Sequence, residues 1–273
     1  MTGSEKGRAD LILVKRGLVP SREKARALIR EKAVRLNGEL LVKPSQTVAS
    51  DGKFYIEQAS IRWVSRGGLK LEAALNAFDV PDLSGAVCLD VGASTGGFSD
   101  VLLSRGASHI YAVDVGHGQL AKKLASDPRI INLEKTHARD LSRQLVPQDI
   151  DFIVCDLSFI SITKALAPAM ELARSGAGLI SLIKPQFEAG RAALGKGGVV
   201  RQEADRQAAI ELVRQFVCTR CGWQEKGLSS SPITGSDGNI KYLFYAVKSD
   251  NKGFSGEAPL FEHDGASPDL KAQ

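Results

Sequence analysis

The stretch LDVGASTGGFSD, residues 89–100, carries an apolar run into Asp90, then a glycine-rich turn, then the start of a helix. A turn of this shape lets backbone amides and a helix N-terminus approach a nucleotide-bearing cofactor closely. Its spacing is G-x-x-x-G-G, not the G-x-G-x-x-G of dinucleotide turns, and Asp90 would repel a pyrophosphate. A carboxylate there suits a cofactor with an amino group or cationic centre and no phosphate, which describes S-adenosylmethionine. The expected cofactor residues are therefore Asp90, Gly92, Ser94, Thr95, Gly96 and Gly97. Asp114, near the end of IYAVDV, is placed to accept bonds from ribose hydroxyls, and Asp140, in HARD, stands beside an adenine-sized site. The plainer alternative is a glycine turn that only packs strand on helix. Aspartates recurring at successive strand ends favour the cofactor.

Two more polar residues end apolar runs. Asp156 closes DFIVCD and is followed by LSFIS; Lys184 closes GLISLIK and is followed by PQFE. A lysine in that position is costly unless it is paired or functional. Lys70 lies on the helix that precedes the cofactor strand. The bland account of these lysines is a basic groove.

Such residues need a scaffold that gathers strand ends. From residue 68 the chain alternates the two patterns. Helix GGLKLEAALNAF leads to strand AVCLDV, a helix over 97–105, strand HIYAVDV, helix QLAKKLA and strand RIINLE. DFIVCD, ITKALAPAMELA, GLISLIK and EADRQAAIELVRQFV continue the alternation, and strands near WQEKGLSSS and KYLFYAVK close it. This predicts an α/β fold, a doubly wound, Rossmann-like, mostly parallel sheet with one antiparallel strand near its end. Residues 8–57 form a separate α+β unit. Helix ADLILVKRG closes at Gly17, Ser21 caps a second helix, Asn37-Gly38 makes a type I′ hairpin, and KFYIE is a strand. The expected division is 1–60, a linker over 61–67, a large domain over 68–248 and a polar tail over 249–273.

The net charge of +5 is unevenly spread: residues 1–66 hold a surplus of +7, and the rest sum to −2. A basic face on the small unit is the footprint expected of an RNA-binding surface. Its candidate contacts are Arg8, Lys15, Arg22, Lys24, Arg26, Arg30 and Arg35, with Lys43. Arg22, Arg26 and Arg30 share one helix face. Trp63 in the linker is expected to pack between domains rather than stack on a base. The N-terminus lacks the apolar core of a secretory signal, and no run is long enough to span a bilayer. CTRC, residues 218–221, has no second pair for zinc, and the four histidines show no ligand spacing, so no metal is expected. The glycine-rich loop 187–201 is expected to move over substrate.

The small unit resembles the RNA-binding domain named after small-subunit ribosomal protein four. RWVSRGGLKLEAAL, LDVGASTGGFSD, DLSFIS, LIKPQFE and SPITGSDGN together resemble the TlyA, or haemolysin A, family. The catalytic domain of that family is similar to FtsJ-type ribose 2′-O-methyltransferases. The resemblance implies a cytoplasmic class I methyltransferase acting on ribosomal RNA, with cytidine the usual target. It also implies a lysine–aspartate–lysine–glutamate tetrad, whose first three places fall on Lys70, Asp156 and Lys184. Lys184 would take or orient the hydroxyl proton, helped by the depressed pKa of a buried lysine near another cation. Asp156 would hold Lys184, and Lys70 would stabilise developing oxyanion charge. The fourth place holds Lys241 instead of glutamate. Either Glu188 or Asp237 supplies the missing carboxylate, or catalysis is weakened and the chain acts as an RNA- and cofactor-binding module. The family's historical name suggests a membrane-active haemolysin, which the absence of long apolar runs disfavours.

Overall fold

The computed structural model describes residues 6–30, 32–56, 62–233 and 238–250. Its first unit runs β1 (Lys6–Arg8), α1 (Ala9–Lys15), α2 (Arg22–Arg30), β2 (Val34–Leu36), β3 (Glu39–Leu40), β4 (Thr47–Ala49) and β5 (Phe54–Ile56). Leu13, Leu28, Ile29 and Val34 are fully buried in its core. The Ser21 hydroxyl accepts from the Lys24 amide at 3.1 Å and caps α2. Asn37 and Gly38 take φ of 51° and 89° between the paired residues Leu36 and Glu39, the geometry of a type I′ turn. β1 and β4 form a separate antiparallel pair that the polar KGR segment did not announce.

The larger unit runs α3 (Gly67–Ala77), β6 (Val87–Val91), α4 (Gly97–Ser104), β7 (His109–Asp114), α5 (Lys122–Ala125), β8 (Ile130–Glu134) and β9 (Ile150–Cys155). It continues through α6 (Ile162–Ala165), α7 (Ala167–Glu171), β10 (Ala173–Ile183), α8 (Pro185–Glu188), α9 (Glu203–Arg214), β11 (Trp223–Ser230) and β12 (Tyr242–Lys248). The seven strands lie in the order β11-β12-β10-β9-β6-β7-β8. β12 is antiparallel to both neighbours, and β6 to β10 pair in parallel. β7 and β8 extend the sheet from one side of β6, and β9 begins the other side. The crevice beyond the ends of β6 and β9 is therefore the switch point, where doubly wound sheets take ligands.

Four elements differ from the sequence reading. QLAKKLA forms helix only over α5. ITKALAPAMELA splits into α6 and α7, because Pro168 has no amide to continue the ladder. β10 starts at Ala173, which pairs with Ile150 before a register shift at Gly178. α9 runs on into a π-turn, Gln215–Arg220. Cys218 and Cys221 are free there, and burial pushes the Cys221 thiol up to about 11, which disfavours a reactive thiolate.

The sheet's faces alternate residue by residue. Cys88, Phe152, Val154, Leu182 and Leu243 pack with Leu71 of α3 and Phe98 of α4. Leu89, Ile153, Ile183 and Phe244 pack on the other face with Ile162 of α6 and Val213 of α9. The same period puts Asp90, Asp156, Lys184 and Lys241 on the side covered by α3 and α4. The 62–66 segment is tied to both units. Trp63 is buried and donates from Nε1 to Glu72 at 3.2 Å, so it packs as expected. The Lys24 ammonium donates to the Trp63 carbonyl, and the Val64 amide to Asp100 at 2.9 Å. The loop expected to move is pinned near its end: buried Asn239 accepts from the Val200 amide at 2.9 Å and donates to the Gly198 carbonyl at 3.1 Å. The expected tail beyond 250 lies outside the described residues.

Candidate active site at the switch point

The glycine-rich turn is built around three positive-φ residues, Gly92 at 87°, Ser94 at 48° and Gly96 at 90°. Gly92 lies hard against the chain leaving β9, so that a Cβ would sit 3.1 Å from the Asp156 carbonyl oxygen. Gly97 packs against Ser65 and Gly68 with no room for a side chain. Asp114 staples the turn: its oxygens accept from the Ser94 amide at 2.8 Å and the Gly116 amide at 2.7 Å. The Ser94 hydroxyl donates to Gln119 at 3.1 Å, and the Thr95 carbonyl accepts from the Ala121 amide at 3.2 Å.

Asp90 is fully buried, and one of its oxygens accepts both the Ser99 amide at 2.9 Å and the Ser99 hydroxyl at 2.7 Å. It thereby holds the first turn of α4. The other oxygen is buried without a hydrogen-bond partner. Burial pushes this carboxyl up to about 7, and the two Ser99 bonds only partly offset it. An acceptor that meets no cation among the described residues, beside a left-handed glycine cradle, fits a ligand that brings an amino group or positive centre. Asp140 stands exposed on a one-turn 3-10 helix, Ala138–Asp140, apart from this network.

The second half of the site lies across the crevice. Lys70 from α3 meets one oxygen of Asp156 at 2.8 Å, and Lys184 meets the other at 2.6 Å. Lys184 also donates to the Ser158 hydroxyl at 2.7 Å. Their side chains are 13% exposed for Lys70, 16% for Asp156 and 5% for Lys184. Burial alone would raise the Asp156 carboxyl, but the two ammonium groups outweigh it and hold the acid well below the usual carboxylate range. Lys241 is half-buried just before β12, with its carbonyl accepting from the Ser231 amide at 2.8 Å. Glu188 is committed elsewhere: it accepts from the Ser161 hydroxyl at 2.6 Å and the Ile162 amide at 3.0 Å. It caps α6 and fixes the end of the 157–161 loop. Asp237 lies outside the described residues.

Two residues of that loop were not singled out from the sequence. Ser158 is the hydroxyl on Lys184. Phe159 has φ of 66° and is 91% exposed, its ring 5.3 Å from that of Phe187. Phe187 in turn sits 5.9 Å from the Lys184 ammonium. A bulky residue held in the left-handed region at a site's mouth is a strained arrangement of the kind found at ligand clamps. The signal available in the sequence was an aromatic side chain in a polar turn just after a strand-end aspartate.

On the small unit, Arg8 and Arg22 each reach the fully buried Asp10 at 3.0 Å. The Arg8 hydrogen bond leads in holding this carboxyl down at about 2, against its burial. Lys24 turns to the linker, as described above. Lys15, Arg26, Arg30, Arg35 and Lys43 lie exposed.

Comparison with known proteins agrees with this two-part build. The FtsJ-like methyltransferase family matches residues 63–248, and the S4 domain matches residues 7–52. The 16S/23S rRNA (cytidine-2′-O)-methyltransferase TlyA of Mycobacterium tuberculosis is 42% identical over 89% of this chain and 90% of its own. Hemolysin A of Brachyspira hyodysenteriae is 37% identical over 88% and 99%. A solved putative hemolysin from Streptococcus thermophilus superposes with a TM-score of 0.71 at 36% identity, covering 93% of each chain. With an S4 domain joined to an FtsJ-like methyltransferase domain and these relatives along nearly its whole length, the chain belongs to the TlyA family.

Proposed function

We infer that the protein methylates a ribose 2′-oxygen of ribosomal RNA, using S-adenosylmethionine, in the cytoplasm where ribosomes are assembled. The observation that carries this reading is the Lys70–Asp156–Lys184 chain standing against the Gly92 turn at the switch point. Cytidine is the target by analogy with the relative named above. When bound, S-adenosylmethionine supplies an electrophilic methyl group. Gly92, Ser94, Thr95, Gly96 and Gly97 would form its cradle, Asp90 would meet its charged end, Asp114 its ribose and Asp140 its adenine.

The chain's own groups handle the hydroxyl. Lys184 is locked among the Asp156 carboxylate, the Asp156 carbonyl and the Ser158 hydroxyl, so its Nζ has a fixed direction from which to hold the 2′-oxygen in line. Once that nitrogen has released one of its protons to solvent, its lone pair takes the hydroxyl proton as the 2′-oxygen attacks the methyl group. Lys70, fixed by the other Asp156 oxygen, stabilises negative charge developing on the attacking oxygen. Phe159 offers an exposed face on which the target base stacks once it is turned out of its helix. Arg26, Arg30 and Arg35, with Lys15 and Lys43, hold flanking phosphates, and Arg8 and Arg22 contribute through whatever donors Asp10 leaves them.

The test is label transfer from S-adenosylmethionine to unmodified ribosomal subunits, followed by alkaline hydrolysis. Label recovered at one alkali-resistant linkage supports the reading, and label lost on hydrolysis or absent from RNA overturns it. A second reading, an RNA- and cofactor-binding protein with weakened catalysis, draws on Lys241. It predicts tight binding of both ligands with no label.

A further inference from the structure

Two short segments meet at three points beside the Lys184 ammonium. One is the 157–161 loop that leaves β9. The other is the turn from Lys184 into α8, closed by the Phe187 amide donating to the Lys184 carbonyl at 2.9 Å. Ser158 accepts from Lys184 at 2.7 Å, and the Phe159 ring lies 5.3 Å from that of Phe187. Glu188 accepts from the Ser161 hydroxyl at 2.6 Å and the Ile162 amide at 3.0 Å. The loop is therefore fastened at its start, its middle and its end. The Ser161 hydroxyl has one proton, and Glu188 takes it. Its oxygen then accepts from the Thr163 hydroxyl at 2.8 Å and the Thr163 amide at 3.2 Å, so its bonding capacity is used up.

Glu188 holds this place at a cost. It is buried, burial pushes its carboxyl above the ordinary value, and no ion pair reaches it among the described residues. Its two hydrogen bonds are what offset that burial. They secure a loop in which Phe159 takes φ of 66°, a strained conformation for a bulky residue that persists only where its surroundings over-determine it. We propose that Glu188 is a positioning residue for the methyl acceptor: it holds the 157–161 loop in the strained shape that keeps Ser158 on Lys184 and Phe159 turned to solvent. Being buried, it acts through those two side chains and not on RNA directly. Release of the loop's end frees Phe159 to return to an ordinary φ, which takes its ring off Phe187 and Ser158 off Lys184. This assignment rests on the methyltransferase reading above. It gives the glutamate of PQFE a task other than replacing the carboxylate absent at position 241.

The experiment measures label transfer to ribosomal subunits from cells lacking this gene. It compares wild type with Glu188→Ala, Glu188→Gln, Ser158→Ala and Phe159→Ala, the last two each also combined with Glu188→Ala. Glu188→Ala is expected to lower kcat by about 10- to 100-fold, the penalty of misplaced reacting groups. It should raise KM about fivefold or more through the lost stacking face. Calorimetric S-adenosylmethionine binding within about twofold of wild type shows that each variant is folded. In Glu188→Gln the side-chain carbonyl still accepts from the Ile162 amide and the side-chain amide still reaches Ser161, so kcat and KM recover to within about threefold of wild type. In the Glu188→Ala background, adding Ser158→Ala or Phe159→Ala costs less than about twofold more, because members of one network are not additive. The proposal is overturned if either added loss multiplies in full, or if Glu188→Ala keeps wild-type kcat and KM. It is also overturned if Glu188→Gln is as poor as Glu188→Ala, since the charge and not the hold on the loop is then what counts. Should Glu188→Ala lose S-adenosylmethionine binding, Ser161→Ala, which removes one of the two bonds, goes through the same cycle and the same outcomes decide. Should wild type transfer no label, the methyltransferase reading fails on its own. Filter binding of the same subunits then carries the cycle: non-additive losses of affinity in Glu188→Ala and Phe159→Ala support the positioning role, and fully additive losses overturn it.

Discussion

Asp90 and Asp156 stand at the ends of neighbouring parallel strands, on the same face of the sheet, and their surroundings drive them apart. Asp90 is buried on an amide and a hydroxyl, with no cation against it among the described residues, and burial raises it to about 7. Asp156 is gripped by two ammonium groups and held well below the usual range. Two carboxyls with environments pushed this far apart mark different tasks. The Asp90 half leaves room for charge that a ligand must supply. The Asp156 half carries its own countercharge and uses it to aim two lysines.

The largest effect should come from breaking the self-contained half. Asp156→Ala leaves Lys70 and Lys184 close together, little exposed and without their carboxylate. Removing one partner of a buried pair costs about 3–5 kcal/mol. Positioned proton transfer of this kind contributes roughly 10²–10⁴ in rate. Urea unfolding and label transfer should both register the loss. If activity falls while stability holds, the lysines are not relying on Asp156 for charge balance. Lys184→Met removes the nitrogen itself and should cost kcat at least as much, with S-adenosylmethionine binding retained.

The other half predicts an opposite dependence on pH. A carboxyl raised in the folded state stays protonated while the unfolded chain ionises. Between about pH 4 and 7 the unfolded chain therefore binds fewer protons, and stability falls as pH rises, by about 4 kcal/mol at most. Asp90→Asn removes this fall, so its melting temperature should gain on wild type from pH 5 to pH 8. Asp156, with its depressed pKa, stabilises above about pH 4, and that contribution is lost as pH falls below it. The two carboxyls thus act in separate windows. A cationic ligand favours ionised Asp90, so S-adenosylmethionine affinity should rise by up to roughly tenfold per pH unit below 7 and level off above it. Calorimetry at pH 6 and pH 8 reads this directly, and a flat profile in wild type removes Asp90 from the ligand's charged end.

Between the halves, Phe159 reaches into solvent from the loop that follows Asp156. Base–aromatic stacking is worth about 1–3 kcal/mol, so Phe159→Ala should raise KM for ribosomal subunits by roughly 5- to 150-fold. Phe159→Tyr, which keeps the face, should recover most of it. Recovery by leucine as well as by tyrosine would argue for simple apolar contact instead of stacking.

How far the sequence revealed this contrast depended on distance along the chain. Apolar runs closed by Asp90, Asp114, Asp156 and Lys184 were legible because strand ends interrupt a period-two pattern, and the switch point follows from strand order once alternation is seen. The capture of Asp90 by Ser99 was not legible, because it depends on how tightly α4 turns after Gly96. Nor was the shared use of Asp156 by Lys70 and Lys184, which are 86 and 28 residues away. Pro168 should have warned that a single helix could not run over 162–173. The π-turn at 215–220 leaves no mark in hydrophobic period.

The smallest effects belong to the small unit, where Asp10 repeats the Asp156 arrangement. It too is a buried carboxylate between two cations, Arg8 and Arg22, and it is held at about 2. Here the cations are half-exposed arginines, so the pair can serve fold and RNA at once. Arg26 and Arg30 share the exposed face of α2. If phosphate binding is general over this face, Arg26→Gln and Arg30→Gln should each flatten the salt slope of subunit binding by about 0.9. That is a factor of only about 3.5 for each across a fourfold salt change. Arg22→Gln should flatten the slope less than either, because part of its guanidinium is already spent on Asp10, and should instead lower the melting temperature. An Arg22→Gln slope change as large as that of Arg26→Gln, with no loss of stability, would mean that Asp10 serves to present Arg22 to RNA. Asp10 would then resemble Asp156 in aiming its cations at the substrate as well as in its charge.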